Sequence, residues 1–123
     1  MTKVLIVDDE QMICDVLETG LRKRGFLCES VGTGEDALAK LNKEKYHIVL
    51  LDVMLPGGES GIEVLRQIWQ QHGNVAVIMI TAVDSTELAV ATKQYGAFGY
   101  ITKPFDLNTV EASIRTAIQE KFS

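Results

Sequence analysis

The sequence predicts an α/β fold, a doubly wound sheet of five parallel strands with helices on both faces. Five short apolar runs recur along the chain, and segments of helical periodicity separate them, which is the alternation expected of parallel α/β proteins. A chain of 123 residues with 46% hydrophobic content can bury one core but not two. We therefore expect a single domain that spans residues 1–123.

The predicted strands are short runs rich in Val, Ile and Leu. They are Lys3–Val7, Leu27–Val31, Ile48–Leu51, Val75–Ile80 and Phe98–Thr102. The first, third and fourth consist almost entirely of Val, Ile, Leu and Met, which is typical of parallel strands covered by helices on both faces. These three are therefore expected to be the most deeply buried.

A helical segment follows each strand, and four of these segments begin with a residue suited to capping. A Ser, Thr or Asp side chain at this position accepts hydrogen bonds from the unpaired N–H groups of the first turn. The predicted caps are Thr33, Ser60, Asp84 and Asp106. Gly25 is expected to end the first helix, because glycine often follows a helix C-terminus.

The charge balance argues against direct binding of nucleic acid. The formal net charge is −5, and the 12 Lys and Arg residues are scattered along the chain. The N-terminus has no signal-sequence pattern, and no apolar run approaches the roughly eighteen residues of a membrane span. We expect a cytoplasmic protein without a membrane partner. Cys14 and Cys28 are expected in the core, and His47 and His72 are interpreted as structural or surface residues.

Polar side chains follow four of the predicted strands directly. Because ligands in such folds bind at the carboxyl ends of the strands, these residues are the candidates for function. They are Asp8, Asp9, Glu10, Asp52, Thr81 and Lys103. If the four strands lie near the point where the strand order reverses, all these side chains converge on one pocket.

Several carboxylates in one pocket repel one another unless a cation neutralises them. Mg²⁺ is the natural candidate, because it prefers oxygen ligands and is typically held by one or two carboxylates together with phosphate oxygens. Lys103 adds a fixed positive charge, and Asp52 is a potential carboxylate nucleophile. A carboxylate, a metal ion, a lysine and a hydroxyl form a set of groups suited to phosphoryl transfer.

Four segments in register resemble the receiver domain of two-component response regulators, in particular the single-domain receivers of chemotaxis. They are the acid pair Asp8-Asp9, the stretch Asp52–Pro56, the pair Thr81-Ala82 and the stretch Tyr100–Phe105. Together they cover almost the whole chain. The resemblance implies a (βα)5 flavodoxin-like fold and a switch controlled by phosphorylation.

The resemblance also implies which residues bind the cofactor, which would be Mg²⁺ or Mn²⁺. Asp52 is the implied phosphoacceptor and also a metal ligand. Asp9 would bind the metal directly, Asp8 would bind it through a water molecule, and the backbone carbonyl of Met54 would complete the site.

The remaining matched residues would act on the phosphoryl group or respond to it. Lys103 and Thr81 would each contact a phosphoryl oxygen. Thr81 and Tyr100 would transmit the change to the face formed by the fourth helix, the fifth strand and the fifth helix. The family often has a cis peptide bond before the proline that follows this lysine, so a cis bond at Pro104 is expected.

The implied partner is a sensor histidine kinase or a histidine phosphotransfer protein. The domain would assist transfer to itself and slowly hydrolyse its acyl phosphate, without acting as an enzyme on an outside substrate. We expect a monomer or a weak homodimer. The sequence leaves open whether the chain is a stand-alone regulator or the receiver of a longer protein, and it does not identify a downstream target or output domain.

Three alternatives and one departure from the family pattern accompany this prediction. The segment Gly32–Ala37 matches a dinucleotide-binding fingerprint, but its acids would oppose a pyrophosphate. An aspartyl-phosphate hydrolase would need an acid where Met54 stands, and an unphosphorylated interaction module would not need the full set of polar residues. The loop from Pro56 to Gly61 is one residue longer than the family pattern, and the extra residue lies within Gly57–Ser60.

Overall fold

The computed structural model describes residues 1–122 and contains one parallel sheet of five strands, in the order β2-β1-β3-β4-β5. The strands are β1 (Lys3–Val7), β2 (Leu27–Val31), β3 (Ile48–Leu51), β4 (Ala76–Thr81) and β5 (Gly99–Thr102). The helices are α1 (Gln11–Lys23), α2 (Gly34–Lys43), α3 (Gly61–Gln71), α4 (Thr86–Gln94) and α5 (Leu107–Phe122). The predicted fold class is confirmed, with β4 beginning and ending one residue later than predicted and β5 beginning one residue later.

Hydrophobic cores lie on both faces of the sheet. Alternate residues of a strand point to opposite faces, so Leu5 belongs to one core and Ile6 to the other. Residues of α2 and α3 cover the first face, while residues of α1 and α5 cover the second. Full burial of one such side chain contributes about 1.5–3 kcal/mol relative to exposure. Cys14 and Cys28 are buried in the second core, as predicted.

Three of the four predicted helix caps are confirmed. The side chains of Thr33, Ser60 and Asp106 each accept a hydrogen bond from a backbone N–H in the first turn of the following helix. The predicted cap of α4 is wrong, because Ser85 rather than Asp84 caps it, with its hydroxyl accepting from the Leu88 N–H at 3.1 Å. The cap must precede the first helical residue, and the turn after β4 delays that residue to Thr86.

The predicted glycine, Gly25, lies two residues after the end of α1. Gly25 adopts a φ of 93°, a conformation that costs side-chain-bearing residues energy. Its N–H donates to the carbonyl of Arg22, and the next N–H, that of Phe26, donates to the carbonyl of Leu21. These bonds end the helix and direct the chain into β2.

No helix within residues 1–122 combines the length and the apolar composition that a membrane span requires.

Candidate functional site

The carboxyl ends of three strands bring one ammonium group and two carboxylates together. Lys103 Nζ donates to Asp8 Oδ2 at 2.7 Å and to Asp52 Oδ2 at 2.9 Å. β1 and β3 are paired in parallel with Val7 opposite Leu51, so the two acids that follow these strands become neighbours. Lys103 arrives from β5 and reaches across the end of β4, where its own N–H donates to the Thr81 carbonyl at 2.7 Å.

Burial makes these charges interact strongly. The side chains of Asp8, Asp52 and Lys103 are only 4%, 8% and 10% exposed. Burial raises the pKa of Asp8, because the charged carboxylate loses hydration, and the hydrogen bond from Lys103 offsets only part of this effect. Burial alone would lower the pKa of Lys103, but its hydrogen bonds to the two carboxylates outweigh this, and its pKa lies above the ordinary value. Lys103 is therefore positively charged at neutral pH.

A group of three carboxylates lies within this pocket. Oxygen atoms of Asp8, Glu10 and Asp52 all lie within 4.8 Å of one another, close enough for one cation to bind all three. Glu10 Oε1 is 3.3 Å from Lys103 Nζ. Hard oxygen donors at this spacing fit Mg²⁺ or Mn²⁺.

Of the three consecutive acids after β1, Asp8 and Glu10 belong to the three-carboxylate group, whereas the resemblance implies roles for Asp8 and Asp9. The Glu10 N–H donates to Asp8 Oδ1 at 2.9 Å, and this turn brings the side chain of Glu10 toward Lys103. Asp9 is exposed, and its carboxylate is not in the three-carboxylate group found among residues 1–122. Glu10 is among the candidate residues at the strand ends, but the resemblance implies no specific role for it. Its position directly after the acid pair was the available signal.

Met54 lies beside the proposed acceptor, as the resemblance implies. Its N–H donates to Asp52 Oδ1 at 3.2 Å. Met54 forms an antiparallel bridge with Ser60, made by the N–H of Leu55 donating to the carbonyl of Glu59 and by the N–H of Gly61 donating to the carbonyl of Val53. Neither bond uses the carbonyl of Met54, which stays available to a cation.

The longer loop is accommodated by a turn rich in glycine. Pro56–Gly58 forms a single 3₁₀ turn, in which Gly57 and Gly58 have φ values of 71° and 76°. Residues with side chains rarely adopt this conformation, so glycine suits both positions of the turn. The bridge between Met54 and Ser60 then closes the loop below the turn.

Thr81 and Tyr100 meet at the residue Val83, which lies in the segment between β4 and α4. The N–H of Val83 donates to Thr81 Oγ1 at 3.3 Å, and the hydroxyl of Tyr100 donates to the carbonyl of Val83 at 2.5 Å. Burial raises the pKa of Tyr100, and the charges of Asp84 and Asp52 add to the shift. The two predicted switch residues are therefore connected through one peptide segment.

The peptide bond between Lys103 and Pro104 is cis, the isomer that the resemblance implies.

Two amide groups at the start of the dinucleotide-like segment's helix already have hydrogen-bond partners. The N–H of Gly34 donates to Glu59 Oε1 at 2.8 Å, and the N–H of Asp36 donates to Thr33 Oγ1 at 3.1 Å. A pyrophosphate at this helix start would have to displace a carboxylate and would face Glu35 and Asp36 in the first turn. This geometry disfavours the nucleotide-binding alternative.

Comparisons with known proteins agree with the geometry. A family model described as the response regulator receiver domain matches residues 4–115. The sensory transduction protein RegX3 of Mycolicibacterium smegmatis is 44% identical over 119 residues, covering 97% of this chain and 51% of that protein. This chain thus spans about half the length of that relative.

Solved structures give the same result. The receiver domain of the Francisella response regulator 1452 superposes with a TM-score of 0.90 at 28% identity, covering 98% of both chains. A BeF3-activated DrrB receiver domain superposes with a TM-score of 0.86 at 33% identity, covering 97% of this chain and 98% of that one.

Proposed function

The chain belongs to the response regulator receiver domain family, whose members are phosphorylated on aspartate, and we propose that Asp52 is the phosphoacceptor of this protein. One observation carries the assignment. Asp52 lies at the end of a buried central strand, with one carboxylate oxygen held by Lys103 Nζ and the other by the N–H of Met54. Asp8 accepts the same two kinds of hydrogen bond, from Lys103 and from the N–H of Glu10, but it follows β1, whereas Asp52 follows β3, the middle strand of the sheet, and opens the stretch that resembles the family's acceptor segment. The side chain of Glu10 is 61% exposed.

The transfer is a displacement at phosphorus by a carboxylate oxygen of Asp52. A P–O bond forms, the P–N bond of a phosphohistidine donor breaks, and the imidazole nitrogen keeps the electron pair of that bond. Lys103 places its positive charge beside the oxygens of the incoming group, and Thr81 offers a hydroxyl to another oxygen. Because the donor loses the phosphoryl group to the protein itself, the reaction yields no outside product. Water later attacks the acyl phosphate slowly and restores Asp52.

Mg²⁺ or Mn²⁺ is the proposed cofactor, and when bound it neutralises the negative charge shared by the phosphoryl group and the carboxylates. Asp52, Asp9 and the carbonyl of Met54 would hold it, and Asp8 would act through a water molecule. Glu10 is a competing donor, because it belongs to the group of carboxylates that lie within 4.8 Å of one another. Comparing the Mg²⁺ affinity of Asp9→Asn with that of Glu10→Gln by calorimetry separates the two assignments.

The proposed partner is a sensor histidine kinase or a histidine phosphotransfer protein in the cytoplasm. Phosphorylation adds about two negative charges near Thr81 and biases the segment that Thr81 and Tyr100 share. The altered surface would be that of α4, β5 and α5, where a downstream target or an output domain would sense it. A difference in contacts between the two states is sufficient for such a switch.

Incubation with acetyl phosphate and Mg²⁺, followed by intact mass measurement, tests the function. The wild-type protein should gain the mass of one phosphoryl group, and Asp52→Asn should not. Chelation of the metal should abolish the gain in the wild type. Modification of Asp52→Asn at the wild-type rate would refute the assignment, and absence of modification in the wild type would favour an unphosphorylated interaction module.

A further inference from the structure

The loop between β3 and α3 contains a tether that the sequence pattern did not reveal. Oε1 of Glu59 accepts a hydrogen bond of 2.8 Å from the N–H of Gly34, the first residue of α2. The two residues are 25 positions apart, so the bond joins two loops that carry different parts of the sheet edge. This N–H is one of the four at a helix start that lack a partner within the helix.

The surroundings of Gly34 are shaped around this contact. A Cβ atom at this position would overlap a methyl group of Val64 and would lie 2.8 Å from the other carboxylate oxygen of Glu59. Glycine therefore allows the carboxylate to approach the backbone closely. On the far side, the Thr33 cap holds the same helix start in place. The tether thus connects the loop to a fixed point.

A fixed point matters for this loop because two glycines at its tip make it entropically costly to order. Gly57 and Gly58 are adjacent, exposed and in the left-handed region, and glycine loses more backbone freedom on ordering than any other residue. Glu59 directly follows them, and its backbone carbonyl accepts from the N–H of Leu55. Glu59 therefore anchors the return segment of the loop, Glu59–Gly61, through both its backbone and its side chain.

The return segment in turn sets the position of Met54, which lies beside Asp52 in the pocket. Ser60 pairs with Met54, and the N–H of Gly61 donates to the carbonyl of Val53 at 2.6 Å. The N–H of Met54 contacts Asp52, and its carbonyl is the proposed metal ligand. Movement of Glu59–Gly61 would displace both groups.

We propose that Glu59 is a positioning residue for the phosphorylation site: its hydrogen bond to Gly34 holds the lengthened loop so that the carbonyl of Met54 faces the metal position. This inference rests on the proposed function. Glu59 touches neither the metal position nor the phosphoryl group. Its effect should therefore be on the affinity for Mg²⁺ and not on the rate of transfer once the metal is saturating.

Three substitutions separate contact from charge. Glu59→Ala removes both, Glu59→Asp keeps the charge on a side chain one methylene shorter, and Glu59→Gln keeps an oxygen of the same reach without the charge. Glu63→Ala is the matched control, since it removes an acid four residues away whose carboxylate faces Arg66 at 3.5 Å. All of these positions lie outside the buried core.

The first measurement uses the metal-free protein and follows the amide of Gly34 by NMR. Glu59→Ala and Glu59→Asp should shift this resonance and speed its hydrogen exchange, whereas Glu59→Gln and Glu63→Ala should leave it close to wild type. The second measurement is Mg²⁺ affinity by calorimetry. Glu59→Ala and Glu59→Asp should raise the Mg²⁺ Kd about tenfold, the low end for residues that orient metal ligands. Saturating Mg²⁺ should restore their phosphorylation by acetyl phosphate.

Each contrary outcome is informative. If Glu59→Asp behaves as wild type while Glu59→Gln and Glu63→Ala weaken Mg²⁺ binding, charge rather than contact is responsible and the inference is wrong. Unchanged Mg²⁺ affinity in Glu59→Ala, with a wild type that binds the metal and is phosphorylated, overturns the inference alone. A wild type that neither binds Mg²⁺ nor gains a phosphoryl group overturns the proposed function and this inference together.

Discussion

The backbone at Gly61, the first residue of α3, leaves no room for the methyl group of an alanine. A Cβ atom at this position would overlap the carbonyl oxygen of Asp52 and would lie 2.8 Å from the Cα of Val53. Both contacts are with backbone atoms at the end of β3, so no side chain can rotate to make room. Gly61→Ala must therefore move either the start of α3 or Asp52.

The expected cost follows from this geometry. Forcing one extra carbon into a packed site costs about 1–3 kcal/mol. For a domain of this size each kcal/mol lowers the melting temperature by roughly 4 °C, so the loss should lie between about 4 and 12 °C. A displacement of Asp52 by a fraction of an ångström should also slow phosphorylation by at least about tenfold, given that about 1 Å can cost a factor of a hundred.

Thermal unfolding and the rate of modification by acetyl phosphate provide the assay. Gly73→Ala is the matched control, because the nearest atom to a Cβ there is the Trp69 carbonyl oxygen at 3.4 Å. Substitution at such an open site should change stability by less than about 0.5 kcal/mol. If Gly61→Ala matches Gly73→Ala in melting temperature and in phosphorylation rate, the close approach to Asp52 does not constrain the site.

Three further predictions concern charges and the switch. Lys103→Met should slow phosphorylation of Asp52. It should also increase the rise in melting temperature that Mg²⁺ causes, because the metal then becomes the main positive charge beside the carboxylates. An unchanged effect of Mg²⁺ on the melting temperature would contradict this prediction. The pKa of Glu29 is lowered to about 2 by hydrogen bonds from Tyr46 and neighbouring lysines. The ionised carboxylate of Glu29 therefore contributes its full stabilisation of the fold above about pH 4.5, and this stabilisation is lost as the pH falls toward 2. Acid unfolding of Glu29→Gln should lack this component, and identical profiles would argue against it. Tyr100→Phe loses the hydroxyl that donates to the Val83 carbonyl. This variant should be phosphorylated normally but should show smaller amide shifts in α4 when beryllofluoride is added. Amide shifts as large as those of the wild type would contradict the proposed role of Tyr100 in the switch.

Local patterns were sufficient for the fold and for the broad chemistry of the site. Apolar runs such as Ile48–Leu51 predict buried strands because they are short and consist of Val, Ile and Leu. Parallel strands end at a common edge, so Asp8, Asp52 and Lys103 could be expected to converge without any knowledge of packing. The hydrogen bonds from Lys103 to both acids agree with that expectation.

Details that depend on how the chain turns between elements needed the tertiary structure. The turn after β1 determines which acid joins Asp8 in the pocket. In this turn the N–H of Glu10 donates to Asp8, and the side chain of Glu10, rather than that of Asp9, lies beside Lys103. Composition alone does not encode this arrangement. The cap of α4 shifted by one residue for the same reason.

The tether from Glu59 to Gly34 marks the limit of local prediction most clearly. Glu59 belongs to a loop and Gly34 begins a helix, and no local pattern around either residue indicates that the other is its partner. The sequence by itself determined the strands, the helices and the set of polar groups at the strand ends, because these follow from periodicity and from the places where the apolar runs stop. Only the tertiary structure decided which distant backbone group the loop carboxylate binds, because that contact exists only once α2 and α3 pack side by side on the same face of the sheet.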